Sequence, residues 1–168
     1  MKKLYIKQKV FKIRDHYSIY NQYGKKEYYV DQDFKLIGNT VRVRDANGKK
    51  VFTIDKKIFN LLPKFTVYFD DGRKIYLSSK LSLFRRKISI KSKGLSLSLK
   101  GSVFDYNFDI YDGFTKIASI KKAVISWGDS FQIKVYDESY QDIAVAIMIA
   151  VDHLQDVEEA RRSSGNGD

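Results

Sequence analysis

Ile143-Ala144-Val145-Ala146-Ile147-Met148-Ile149-Ala150-Val151 is apolar at each of its nine positions. Ser139 stands just ahead and can cap a helix, and Asp142, three residues on, suits the positive end of a helix dipole. The polar, helix-forming run from Gln155 to Arg162 continues the pattern, so one helix is predicted from about Ser139 to Arg161. A helix apolar all round is buried on every side or lies in a membrane. Nine residues rise only about 13 Å, whereas a bilayer core needs roughly 20 apolar residues. Burial inside the protein is the better reading, and the rest of the chain must then supply the enclosure.

Upstream, Gly24, Gly48 and Gly72 recur at intervals of 24 residues, each followed by a basic residue: Lys25, Lys49 and Arg73. Alternating apolar segments flank each glycine: Tyr17–Tyr20 and Tyr28–Val30, Val41–Val43 and Val51–Ile54, Phe65–Phe69 and Ile75–Leu77. Glycine tolerates the positive φ of tight hairpins, so Asn47-Gly48 and Asp71-Gly72 read as hairpin turns, and the period is one hairpin plus its connection. The reading continues with Ile88–Ile90 and Leu95–Leu99 about a turn at Lys93-Gly94. Phe108–Ile110 and Ile117–Ile120 flank Asp112-Gly113, and Ala123–Ile125 and Phe131–Val135 flank Trp127-Gly128-Asp129. Ten to twelve strands result, near the upper range for one sheet.

Alternation gives each strand a dry and a wet face: Val41 and Val43 oppose Arg42 and Arg44, and Phe131, Ile133 and Val135 oppose Gln132 and Lys134. A sheet of about a dozen strands closes into a barrel too wide for side chains alone to fill. A helix about 10 Å across fills it, and closure removes the sheet edges. The expected architecture is therefore mainly β: a closed antiparallel barrel of about twelve strands, in six hairpin-like repeats, around a buried C-terminal helix. A single domain is expected over residues 1–160, with the helix over about 139–160 and a flexible tail over 161–168.

The chain has 168 residues, a net charge of +11 and no cysteine. Disulfides, thiolate metal sites and cysteine nucleophiles are excluded. His16 and His153 are too few for a histidine cage and lie far apart, and each reads as a satisfied structural histidine. No apolar signal-peptide core follows Met1, which suggests a cytoplasmic protein. The positive surface attracts anions generally without choosing among them.

The ordered set Val10–Asp15, Ile58–Phe65, Lys80–Phe84, Phe108–Gly113, Ile125–Asp129 and the Ile143–Val151 helix resembles the LURP-one-related family of the tubby C-terminal-like superfamily. The resemblance spans about Tyr5 to Leu154. It implies a twelve-stranded barrel around a C-terminal helix. It also suggests phosphoinositide binding, as in tubby domains, or membrane action, as in the related phospholipid scramblases. This chain has neither the cysteine cluster on which scramblases are palmitoylated nor a clear counterpart of tubby's basic headgroup motif.

Arg85, Arg86, Lys87, Lys91 and Lys93 form the densest basic cluster and are the candidate lipid- or anion-binding residues. If Ile88 and Ile90 point inward, Lys87 and Lys91 share the wet face, where a phosphate headgroup or a nucleic-acid backbone fits. A solvated barrel wall whose charge blocks sheet pairing explains the same residues. Lys2, Lys3, Lys7, Lys9, Lys12 and Arg14 make a second basic stretch, with the same two readings. The aspartates at 15, 31, 33, 45, 70, 71, 112 and 129 sit mostly at turns, where side-chain-to-backbone bonding explains them, and no calcium loop is present. Trp127 is expected to pack as a barrel plug. No nucleophile elbow, P-loop, zincin or dinucleotide motif occurs. The chain is accordingly expected to be a monomeric, non-enzymatic binding or scaffold module without metal or cofactor. Its expected partner is an anionic membrane surface, with nucleic-acid binding or an unrecognised enzyme as the alternatives.

Overall fold

The structure, a computed structural model, describes residues 1–7, 16–32, 40–57, 63–81, 86–126 and 128–165. Twelve strands run in chain order as β1 (Lys2–Lys7), β2 (His16–Asn21), β3 (Lys26–Gln32), β4 (Thr40–Asp45), β5 (Lys50–Lys57), β6 (Lys64–Phe69), β7 (Lys74–Leu81), β8 (Arg86–Ser92), β9 (Leu97–Ser102), β10 (Asn107–Asp112), β11 (Thr115–Ile125) and β12 (Gly128–Val135). The helix α1 (Gln141–Gly165) follows. All twelve strands make one antiparallel sheet in the order β8-β7-β6-β5-β4-β3-β2-β1-β12-β11-β10-β9. β1 and β12 are zipped together from Lys2↔Val135 to Lys7↔Ser130, which curls the sheet into a nearly closed barrel.

The 24-residue period is visible as repeated geometry. The N–H groups of Gly24, Gly48 and Gly72 donate to the carbonyls of Asn21, Asp45 and Phe69 at 3.0, 3.0 and 3.1 Å. Those same three residues donate to the carbonyls of Lys25, Lys49 and Arg73 at 2.8, 2.9 and 3.0 Å. The glycines have φ of 75°, 83° and 88°, so the left-handed turn residue is the reason for the repeat. Side chains assist where the sequence reading placed them: Asp45 accepts from the N–H groups of Asn47 and Lys49, and Asp71 from that of Arg73.

Ile143 to Val151 are at most 1% exposed, so the all-apolar segment is enclosed as expected. Around it pack Leu4, Ile19, Val43, Phe52, Phe65, Ile75, Ile110, Ile120 and Ile133, all at most 1% exposed. The start of the helix differs in detail from the sequence reading. Ser139 lies in a 3-10 turn, Glu138–Tyr140, whose cap is Asp137, accepting from Ser139 N–H at 2.9 Å and Ser139 Oγ at 2.7 Å. The helix then runs past residue 160 to Gly165, through part of the expected tail. Ser163 Oγ donates to the carbonyls of Glu159 and Ala160 at 3.2 and 3.0 Å within that last turn. The segments Ile117–Ile120 and Ala123–Ile125 are one long strand, β11.

The larger difference concerns one hairpin. The expected hairpin about Lys93-Gly94 does not form a ladder: among the described residues, β8 pairs only with β7, and β9 only with β10. Ser96 N–H donates to Asp112 Oδ1 at 2.7 Å and its carbonyl accepts from Gly113 N–H at 2.9 Å, on the β10 side of the chain. The chain leaving Gly94 is thereby held by the β10–β11 turn, and Leu95 and Ser96 stay out of the sheet. A seam remains between β8 and β9.

An unpaired charge at the helix midpoint has no water to meet. Val145→Asp or Ile147→Asp is expected to cost several kcal/mol, enough to unfold a domain of ordinary stability. Circular-dichroism melting checks this, and a variant melting within a few degrees of the parent would show that the helix is not central.

Candidate functional site

The barrel has two unlike ends. At one, the tight turns at Gly24, Gly48, Gly72 and Gly113 surround the first turn of α1. Tyr28 Oη donates to Asp142 Oδ1 at 2.5 Å there, and Gln141 Nε2 donates to Tyr28 Oη at 2.6 Å. Tyr140 Oη reaches Asp112 Oδ2 at 2.9 Å. A cleft of about 490 Å3 opens beside them, where Glu27, Asp45, Asp70 and Asp142 are offset by Lys49 and Lys50. These contacts fix the helix in its collar.

At the other end the helix meets a buried polar group. Asp152, 2% exposed, accepts from Tyr106 Oη at 2.5 Å, and Tyr106 stacks on Phe131 at 4.3 Å between centroids. Tyr106 holds a left-handed φ of 52°, a strained conformation for an aromatic residue that the ring stacking and the hydrogen bond maintain. Burial, reinforced by the Asp152 charge, holds the phenols of Tyr17 and Tyr106 well above the usual tyrosine range. Lys56 sits on the inner face of β5 after Phe52 and Ile54, and burial lowers its amine against the opposing pull of Asp156. His153 is pushed down to about 4, chiefly by burial and then by Lys56. Its Nε2 is buried without a hydrogen-bond partner, so this histidine is structural but not satisfied. Both amide atoms of Gln32, 4% exposed, share that condition. His16 is satisfied by contrast, with Nδ1 2.9 Å from Asp31 Oδ1 at the surface.

Of the predicted basic cluster, Lys87, Lys91 and Lys93 are described with exposed side chains. Arg85 falls outside the described residues, as do Lys9, Lys12, Arg14, Asp15, Asp33 and Trp127. Arg86 opens β8 opposite Leu81. Lys87 and Lys91 are exposed on the outer face, opposite Lys80 and Tyr76, while Ile88 and Ile90 pack partly against the core. Lys87 and Lys91 thus share one face about 13 Å apart, and Lys93 is exposed in the following turn. Among the described residues no acidic side chain pairs with Lys87, Lys91 or Lys93. Lys2 of the second stretch, by contrast, is held by Glu27 at 2.8 Å.

The charge is concentrated more sharply than the cluster suggests. From Gly72 to Phe104 there are nine basic residues and no acidic one, which accounts for +9 of the net +11. Its described strands are β7, β8 and β9, on both sides of the seam. Aromatic rings hold some of these cations: Lys74 Nζ lies 5.3 Å from the Tyr68 ring and Lys100 Nζ 4.4 Å from the Tyr111 ring. Tyr76 is 50% exposed among them. Among the described residues no group of histidine and carboxylate side chains has the arrangement of a metal site. No described helix is long and apolar enough to cross a membrane.

This architecture defines a class: a helix-filled, antiparallel, nearly closed β-barrel with one basic wall. The family model described as LURP-one-related matches residues 2–152, and the protein belongs to that family. The "Uncharacterized protein YxjI" of Bacillus subtilis (strain 168) is 28% identical over 152 residues, covering 90% of this chain and 93% of that protein. A protein of Arabidopsis thaliana known from its X-ray structure superposes with a TM-score of 0.59 at 18% identity, covering 94% of this chain and 91% of that one. That likeness concerns the fold alone.

The state of His153 has a consequence for stability. Folding favours its neutral form, so the unfolded chain takes up the proton first as the pH falls. The contribution is complete above the ordinary value of 6.5 and is lost as the pH falls from there to about 4. Because the ring is partly exposed, the loss is expected to be roughly 2 kcal/mol, below the full linkage value. Urea unfolding at the two pH extremes checks it: His153→Gln should lose about that much less stability than the parent, and an equal loss in both would contradict the assignment.

Proposed function

We propose that this protein is a non-enzymatic binding module that docks peripherally, as a monomer, on anionic phospholipid headgroups. The observation that carries the reading is the acid-free wall from Gly72 to Phe104. Like charge on one face of a rigid barrel costs self-repulsion that a mixed surface avoids, and an anionic surface relieves it. Among the described residues Lys87, Lys91 and Lys93 have no acidic partner, and the exposed Tyr76 beside them suits the interfacial zone between headgroup and acyl chain. The family matches name no enzymatic activity.

Each basic residue near an anionic surface contributes about 1 kcal/mol. Lys87→Glu/Lys91→Glu/Lys93→Glu is therefore expected to weaken binding to phosphatidylcholine vesicles containing phosphatidylserine by well over tenfold. Lys26→Glu, on β3 at the opposite side of the barrel, should have little effect. Co-sedimentation near physiological ionic strength measures this, with pure phosphatidylcholine as the control. Equal retention on both vesicle types would refute the lipid reading. Tight binding to an oligonucleotide in the same buffer, where a few phosphate contacts fade steeply, would put nucleic acid in its place.

A further inference from the structure

We propose that Phe114, at the tip of the β10–β11 turn, is the side chain that enters the bilayer, so that the barrel rests tilted on one edge of its turn-bearing end. The inference rests on the lipid reading above and names the edge that meets the membrane.

Its starting point is a large apolar side chain with no cover. Phe114 is 102% exposed, more than any other large apolar residue described. It lies in the short link from β10, ending at Asp112, to β11, starting at Thr115. Links of this kind are ordinarily made of Gly, Asn, Asp or Ser, which serve the backbone. Gly113, with a φ of 56°, already does that here. The ring adds nothing to the turn and stands in water, where apolar surface is unfavourable.

The tip is also held still. Asp112 Oδ1 accepts from Ser96 N–H at 2.7 Å and its Oδ2 from Tyr140 Oη at 2.9 Å, while Gly113 N–H donates to the Ser96 carbonyl at 2.9 Å. The turn is thereby tied both to the segment that enters β9 and to the lead-in of α1. A ring fixed in position loses little freedom on binding.

Charge selects what the ring meets. The bonds to Ser96 set Phe114 beside the β8–β9 connection, which carries the exposed Lys93. Lys74, also exposed, comes next along the rim, and its carbonyl accepts from Ser92 Oγ at 3.0 Å. On the other side of the same end the sign reverses: the cleft there is lined by Glu27, Asp45, Asp70, Asp71 and Asp142 against Lys49 and Lys50. An anionic surface attracts the first side and repels the second, so the end does not lie flat on it. It tilts onto the edge that runs from Lys74 through Lys93 to Phe114. The ammonium groups then meet the headgroups, and the ring passes between them into the interfacial zone, where aromatic residues collect. A fluid bilayer accepts a single protruding ring without a matching pocket, which a protein partner has to supply. Tyr23 is the built-in comparison. It is 83% exposed in the β2–β3 turn of the same end, but on the side of the acidic cleft, and it stays in water in this pose.

The chain has no cysteine, so Phe114→Cys and Tyr23→Cys each carry a single thiol for an environment-sensitive fluorophore. The aromatic label stands in for the ring it replaces. On phosphatidylcholine vesicles containing phosphatidylserine, near physiological ionic strength, the label at 114 should shift to the blue and become shielded from aqueous acrylamide. The label at 23 should do neither. Unlabelled Phe114→Ala should co-sediment with these vesicles about tenfold more weakly than the parent, and Phe114→Trp as well as the parent. Phe114→Ala should keep the parent's salt dependence, since no charge is lost, and its melting temperature, since a fully exposed side chain supports no core. Binding of Phe114→Ala as tight as the parent's, or a label at 114 that stays open to acrylamide on vesicles the parent binds, overturns the proposal and leaves the headgroup reading standing. Equal shielding at 23 and 114 overturns the tilted edge in favour of a flat end. Failure of the parent to bind these vesicles removes the headgroup reading, and this proposal with it.

Discussion

The structure depends on one constraint: Ile143–Val151 has no polar side, so it needs an apolar wall all round. At about 25 cal/mol per Å2, enclosing such a helix is a large favourable term, and it is lost as a whole if the wall does not form. No eight-stranded barrel has room for a helix, so the wall must be longer, and the chain makes it by repeating one hairpin. The glycine turns are the means of that repetition.

Both ends of the buried segment are tied to the wall by the same chemistry. A tyrosine hydroxyl donates to an aspartate on the helix: Tyr28 to Asp142 at the first turn, Tyr106 to Asp152 near the far end. The carboxylates are ten residues apart, about 15 Å along the axis. They fix the helix against sliding, which a purely apolar contact does not do. The polar atoms at the far end are less completely satisfied, and Gln32, Lys56 and His153 carry the cost in orphaned amide atoms and depressed basicity.

Most of the fold was legible because it is written in local chemistry. Period-two alternation placed the strands, positive-φ glycines placed the turns, and an unbroken apolar run placed the helix. One hairpin ladder was not legible. Lys93-Gly94 looks like a hairpin turn, and Gly94 does have a φ of 82°, but among the described residues no ladder joins β8 to β9 behind it. No local pattern reports that. Lys56, on the other hand, was readable: it follows Phe52 and Ile54 in strict alternation, and the rule that buries the phenylalanine also turns the lysine inward. The basic wall was half legible. The cluster at 85–93 was visible, while its continuity from Gly72 to Phe104 appears only when the missing acids are counted rather than the lysines present.

The central claim is that the barrel is built around the helix and cannot persist without it. Native-state amide exchange along α1 tests this most directly. If the account holds, the amides of Ile147 to Val151, whose acceptors lie within the enclosed run, open only by global unfolding. Their exchange free energies should equal the unfolding free energy from denaturant titration and exceed those of the edge strands β8 and β9. Exchange of these helix amides through a smaller, local opening, while β3 to β6 remain protected, would contradict it, because the sheet would then be standing without its core.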